Sequence, residues 1–370
     1  MTRPAPLVRS LARSLAGPSS GHRSFSSSLL RRDAPKPASV PVALIAQIRS
    51  QRPGTPLSLA RSALVATDND VPSALAWIQQ QAAESGAKKA EKLADRTAEQ
   101  GLVAVAVLAD GTGSVGVRAS LVEMRCETDF VARTDEFREL AEGIARSLAF
   151  FAEPANDDKL AKLDIQSPAL LDMPVVPSPT KVASLAASDD KSPSETIRTS
   201  VASIVSRLGE NIRLHRAASI SLDPSPPSSS GPTFLASSYL HGSKTPADAA
   251  KDGVQSGTLG GLLIARLGAA GPVDKTEVKS VLRALARQVV AVPTTSIHEP
   301  ADAPQRAEGE PSTALYDQQL ITMAPSPKFE FEAGSNVGAV LRKWSELRGV
   351  KGEGLEVVEL GRWEVGAQEA

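Results

Sequence analysis

Cysteine is almost absent: Cys126 stands alone in 370 residues. That excludes an intramolecular disulfide and any zinc site built on cysteines. Histidine is scarce as well, and none of the four is paired at metal-ligand spacing. Aromatics make up only 4% of the chain, so a core has to be assembled from Ala, Val, Leu and Ile. Neither sign of charge dominates, with 41 Lys and Arg against 42 Asp and Glu. A net charge of -1 argues against a large nucleic-acid footprint. No apolar run approaches the roughly 20 residues of a membrane-spanning helix. What is present, 41% hydrophobic and 22% charged residues, is ordinary for a globular chain. The length suits two domains plus tails.

Acids are missing from the first 32 residues, which carry Arg3, Arg9, Arg13, Arg23, Arg31 and Arg32 among many serines. Leu7, Leu11 and Leu15 recur every fourth position, so a helix there would have one apolar stripe beside arginines. Basic, serine-rich, acid-free and amphipathic is the composition of a mitochondrial transit peptide. The bland alternative is a disordered basic tail. No uninterrupted apolar stretch follows the basic residues, as a secretory signal requires. "HRSFSSS" sets an arginine shortly before Phe25 and Ser26, resembling a matrix-protease site.

Residues 33–41, "DAPKPASVP", have the composition of a linker. Between Val42 and Gln81 apolar residues fall at helical spacing in three blocks. Leu44, Ile45 and Ile48 make the first, Leu57, Leu64 and Val65 the second, Leu75, Trp77 and Ile78 the third. "RPGTP" and "TDNDVP" separate them, with Asp70 a candidate N-cap and Pro72 in the first turn. A module of this size is marginal alone and needs a neighbour or partner. "AAESGAKKAEKLADRTAEQG" continues as an Ala-rich polar helix expected to end at Gly101.

Gly111-x-Gly113-x-x-Gly116 has the lettering of a dinucleotide-binding turn, which needs a helix next. Instead Val115, Val117, Ala119 and Leu121 alternate as a strand does, and Asp110-Gly111 is a hairpin signal. The predicted element is a β-hairpin. Thr134 then caps a helix with Phe137, Leu140, Ile144 and Leu148 on one face. Residues 154–193, rich in Pro, Ser and Asp, read as an insertion that carries little core. A helix resumes near Ser194, with Ile197, Val201, Ile204 and Leu208 inward and Gly209 at its end. "ENIRLHRAAS" alternates as a strand. Beyond the divider 223–232 come two strands, a helix, a Pro-rich loop at 298–312, another helix and a final strand. This order is α+β with two sheet-bearing halves, divided as 42–81, 82–220 and 221–370.

"CETDFVARTDEF" (126–137) strongly resembles the signature of the translation elongation factor Ts family. "GAKKAEKLADRTAEQGLVAV", "LGENIRLHR", "YLHG", "LARQVVAVPT" and "GRWEVG" resemble further family segments in collinear order. The likeness spans 42–366. It implies a ubiquitin-associated-like (UBA-like) three-helix domain followed by a core of two α+β subdomains with antiparallel sheets. Family members release GDP from the GTPase elongation factor Tu, binding its GDP-bound and nucleotide-free forms. They use no cofactor, make or break no covalent bond, and have no nucleic acid, membrane or small-molecule substrate as partner.

Carried over by residue, the resemblance makes Asp129 and Phe130 a wedge near the GTPase magnesium site, with Thr128 and Val131 shaping the turn. By residue type alone, Phe130 would sit in the core and Asp129 would cap the backbone. Cys126 reads as a buried small hydrophobe. His241 of "YLHG" either faces a second contact surface or satisfies a local hydrogen bond. The helical module departs from the family pattern: "RPGTPLSLARSAL" keeps Gly54 but adds Pro53 and Pro56 where the family carries Thr-Gly-x-Gly. Residues 154–260 carry no sustained heptad, so the bacterial type of protruding coiled coil is not expected there. The rival reading is an adaptor whose helical module binds a ubiquitin-like protein, which a mitochondrial address disfavours.

The mature protein is expected to begin near Ser26 in the mitochondrial matrix. N-terminal sequencing of organellar protein checks this, and an intact Met1 on matrix-located protein contradicts it.

Overall fold

The computed structural model describes residues 40–367, apart from 53, 114, 155–156, 187–194, 225–231, 244–251, 270–272, 302–309 and 328. The expected leader, 1–32, and most of the 223–232 divider lie outside the described residues.

Helices α1 (Val42–Gln51), α2 (Leu57–Ala66) and α3 (Val71–Leu93) open the fold. Ile45, Ile48, Ala60, Leu64, Ala74 and Ile78 close a small core between them. The chain passes from α2 to α3 through Asp68 and Asn69 at φ 51° and 65°, left-handed values that these short polar residues tolerate. Asp70 then caps α3 by accepting the Ser73 N–H at 2.9 Å, with proline in the first turn. α3 runs unbroken past the boundary expected at 81. It also stops well short of Gly101. The Asn211 amide donates to the carbonyls of Ala94 and Arg96 at 3.3 and 2.7 Å, engaging them away from a helical ladder, and a strand is already running at Gln100.

Strands β1 (Gln100–Asp110) and β2 (Val117–Cys126) form the expected antiparallel hairpin. β1 reads as an almost unbroken apolar run because both of its faces are buried. Leu102, Ala104 and Ala106 enter one core, Val103 and Val105 another. At the hairpin tip Gly111 has φ 81°, and an added Cβ would meet the Phe234 carbonyl oxygen at 1.9 Å. This glycine serves close packing in a turn, and β2 rather than a helix follows it.

After β2 come α4 (Asp129–Ala132), α5 (Asp135–Phe151), β3 (Ala161–Leu163), α6 (Pro168–Leu171), α7 (Pro179–Ala186), α8 (Ile197–Leu208) and β4 (Arg213–Leu222). The chain continues through β5 (Thr233–His241), β6 (Val254–Gly257), β7 (Leu259–Leu267), α9 (Lys275–Ala291), α10 (Val337–Leu347) and β8 (Leu355–Glu364). Five strands in the order β3-β4-β2-β1-β6 make one sheet, and β5-β7-β8 make a second. Every named pairing is antiparallel. α5 and α8 pack on the outer face of the first sheet, α9 and α10 on that of the second. The inner faces meet through Leu121, Ile220, Leu262, Ile264 and Trp363. The α+β class expected from the sequence is therefore layered helix, sheet, sheet, helix.

Two features depart from the sequence reading. β6 belongs to the expected second half yet pairs with β1 of the first sheet. Its Ser256 hydroxyl donates to buried Glu142 at 2.7 Å, and nearby Asp252 pairs with Arg146 at 2.6 Å. The segment 154–193 is also more than a polar insertion. β3 pairs with β4, Leu170 is buried in the first core, and Met173 and Val175 pack against it. The Val175 N–H donates to the Glu195 carbonyl and the Ile197 N–H to the Met173 carbonyl. The apolar residues of 160–176 are broken by Pro168 and Pro174 and follow neither a helical nor a strand period.

α3 and α8 cross at a point where Gly86 leaves no room for a side chain. Alanine there would gain about 1 kcal/mol of helix propensity. Its Cβ, however, would lie 1.9 Å from the Ala202 carbonyl oxygen, and overpacking of that kind costs about 1–3 kcal/mol. Gly86→Ala is therefore expected to lower the melting temperature. A higher melting temperature would mean that the two helices do not cross so closely.

Candidate functional site

β2 delivers Cys126 into the first core, and the next residues must turn away from the sheet. Thr128 is extended, at φ -119° and ψ 152°, and caps the one-turn helix α4 by accepting the Val131 N–H at 3.4 Å. The Cys126 thiol donates to the Thr128 carbonyl at 3.2 Å. The far end of α4 is closed by Thr134, whose hydroxyl donates to the Val131 carbonyl at 2.8 Å and accepts the Phe137 N–H at 3.3 Å. One threonine thus stops α4 and starts α5.

Successive helical side chains point about 100° apart, and the turn uses this to separate its apolar residues. Val131 is 8% exposed and belongs to the first core. Phe130 is 80% exposed, the most exposed phenylalanine among the described residues. Residue type alone would put it inside; the geometry puts it outside. Asp129 does not cap the backbone. Its carboxylate pairs with Arg133 one turn later at 2.7 Å, both side chains well exposed, a pairing worth a few tenths of a kcal/mol.

Two carboxylates outside the expected set hold the turn from beneath. Glu210 accepts the Thr128 N–H at 3.1 Å and the Thr128 hydroxyl at 2.6 Å. Glu127 accepts the Asn211 N–H at 2.7 Å and lies 3.5 Å from Arg96. Glu127 stands in "CETDF" and Glu210 in "LGENI", far apart in the chain. These bonds span 82 and 84 positions, so nothing in either stretch signals the other.

His241 lies elsewhere, exposed at the end of β5. Its carbonyl accepts the Thr258 N–H at 3.2 Å. It lines a cavity of about 300 Å³ with Glu99, Gln100, Gly101, Thr258, Leu259, Glu364 and Val365. The bonds that place Thr128 and Val131 run to Cys126, Glu210 and Thr134 instead. Among the described residues no group of three or more His, Cys, Asp or Glu is arranged to hold a metal ion.

Burial pushes the Cys126 thiol up to about 12, with the negative charge of Glu210 adding to the shift. The neutral thiol is thus favoured by folding. Its contribution to stability is fully present below the ordinary value of 9.0 and is lost as pH rises toward the folded value. At pH 8 native Cys126 should resist iodoacetamide while urea-unfolded chain reacts, as mass spectrometry would show. Rapid labelling of native protein contradicts this burial.

Comparison with known proteins bears on the same turn. The family model described as Elongation factor TS matches residues 127–306, starting at Glu127. A mitochondrial elongation factor Ts of Malassezia globosa is 32% identical over 365 residues, covering 87% of each chain. Mitochondrial elongation factor Ts 2 of Postia placenta is 34% identical over 339 residues, covering 87% of this chain and 91% of its own. A counterpart from Mycosarcoma maydis is 31% identical over 390 residues. With identity at this level across most of both chains, this protein belongs to the elongation factor Ts family.

Proposed function

We propose that the protein is a guanine-nucleotide exchange factor for mitochondrial elongation factor Tu, with Phe130 as the wedge that promotes GDP release. The observation that carries the reading is an 80%-exposed phenylalanine on a turn whose backbone is capped at both ends. The family relationship supplies the partner, and the relatives' names supply the mitochondrion. The basic, acid-free residues 1–32 are the proposed transit peptide and the matrix the proposed location.

Linkage states what such a factor has to do. A GTPase holds its nucleotide through phosphate contacts and a magnesium ion. A protein that binds the nucleotide-free GTPase more tightly than the GDP form weakens GDP by the same factor. The preference needs a group that fits only the rearranged site. Burying a phenylalanine in a partner pocket is worth about 1.5–3 kcal/mol. Asp129, the other half of the proposed wedge, stands beside Phe130 and is ion-paired with Arg133 in the free protein, so both charges of the pair reach the same surface. No bond is made or broken by the factor. His241 is the proposed second contact.

Phe130→Ala isolates the wedge. Truncation removes no core contact, so melting should stay within about a degree or two, as surface changes under about 0.5 kcal/mol do. Release of fluorescent GDP from the GTPase at saturating factor should slow about tenfold or more, the equivalent of about 1.4 kcal/mol. An unchanged release rate overturns the wedge.

A further inference from the structure

Phe130 rides on a helix of a single turn, and a single turn does not hold itself, because nucleating a helix is unfavourable in isolation. Something outside α4 must fix it. Val131 anchors one side in the core. At the other end the strand-to-helix junction at Thr128 leaves an N–H pointing out of the sheet, and both polar hydrogens of that residue go to one carboxylate, Glu210.

We propose that Glu210 is a positioning residue for the exchange reaction, acting on the partner only through Phe130. The proposal rests on the wedge reading given above. By accepting the Thr128 hydroxyl at 2.6 Å, Glu210 fixes the direction of that proton. The oxygen's lone pairs are then left to receive the Val131 N–H and cap α4. By accepting the Thr128 N–H as well, the same carboxylate fixes the extended backbone from which α4 departs.

Glu127 and Asn211 complete the arrangement in the opposite sense. The residue before Thr128 accepts the N–H of the residue after Glu210, at 2.7 Å. Each segment therefore lends a carboxylate to the other's backbone. Asn211 carries the link on to the carbonyls of Ala94 and Arg96 where α3 ends. The turn bearing Phe130 is thereby tied to the two neighbouring chain segments at fixed geometry. Preorganisation of this kind speeds the release step by removing an ordering cost that the wedge-inserted state would otherwise bear.

The test is a double-mutant cycle on GDP release at saturating factor, with melting curves on every variant. Losing bonds to a charged acceptor is worth about tenfold, so Glu210→Ala should slow release by about that factor. Glu210→Gln, which keeps one acceptor oxygen for Thr128, should recover part of the rate. In the Phe130→Ala background, Glu210→Ala should cause no further slowing, since the group it positions is gone. A merely structural role would slow both backgrounds equally. That outcome, or an unaltered rate in Glu210→Ala, overturns the positioning role while leaving the wedge standing. Should Glu210→Ala fail to fold, Glu210→Gln, which loses the acceptor for the Thr128 N–H, takes its place in the same cycle. A Phe130→Ala variant with full exchange activity overturns the wedge and the positioning role together.

Discussion

The burial of Val131 decides where Phe130 points. Both sit on the single turn of α4, and with Val131 fixed in the first core the neighbouring aromatic is forced about 100° around the axis into solvent. That anchor is only as firm as the core that receives it. The core is built from the outer face of the first sheet together with α5 and α8, and its largest members include Phe137, Ile144, Leu148 and Met124. The surface feature therefore inherits its direction from the interior.

The second sheet stabilises this platform from behind. Its inner face packs on the other side of β1 and β2, so these strands are apolar on both faces. A charged cluster is nevertheless enclosed there. Glu123, on β2, is fully buried and pairs with Arg125 at 2.7 Å and Arg216 at 2.6 Å. Arg216 in turn lies over the Trp363 ring, 4.5 Å from its centre. The network joins β2, β4 and β8, and removing one partner of such a buried set typically costs 3–5 kcal/mol. It ties β8 to the strand that leads into the candidate turn.

Much of this was legible in the sequence. The stripe Phe137, Ile144, Leu148 and the cap Thr134 define α5 by helical period alone, and Gly209 ends α8 with φ 73° as its position suggests. The hairpin was legible because alternation resumes immediately after Asp110-Gly111. β3 and β6 were not, since strands of three and four residues carry too few side chains to set a period. The boundary of α3 was hidden because its end is decided by the distant Asn211. Thr128, Asp129, Phe130 and Val131 were singled out as candidates through a family motif, whereas composition would have buried Phe130. Glu210 escaped both routes, because its bonds to Thr128 join chain segments that only the fold brings together.

The most direct measurement is a structure of the complex between this chain and nucleotide-free elongation factor Tu. Phe130 should pass from exposed to buried against the GTPase beside its magnesium site. The Thr128–Glu210 bonds and the course of α4 should be retained as they stand in the free protein. A complex in which Phe130 still faces solvent, or in which α4 has unwound to make contact, would contradict the account.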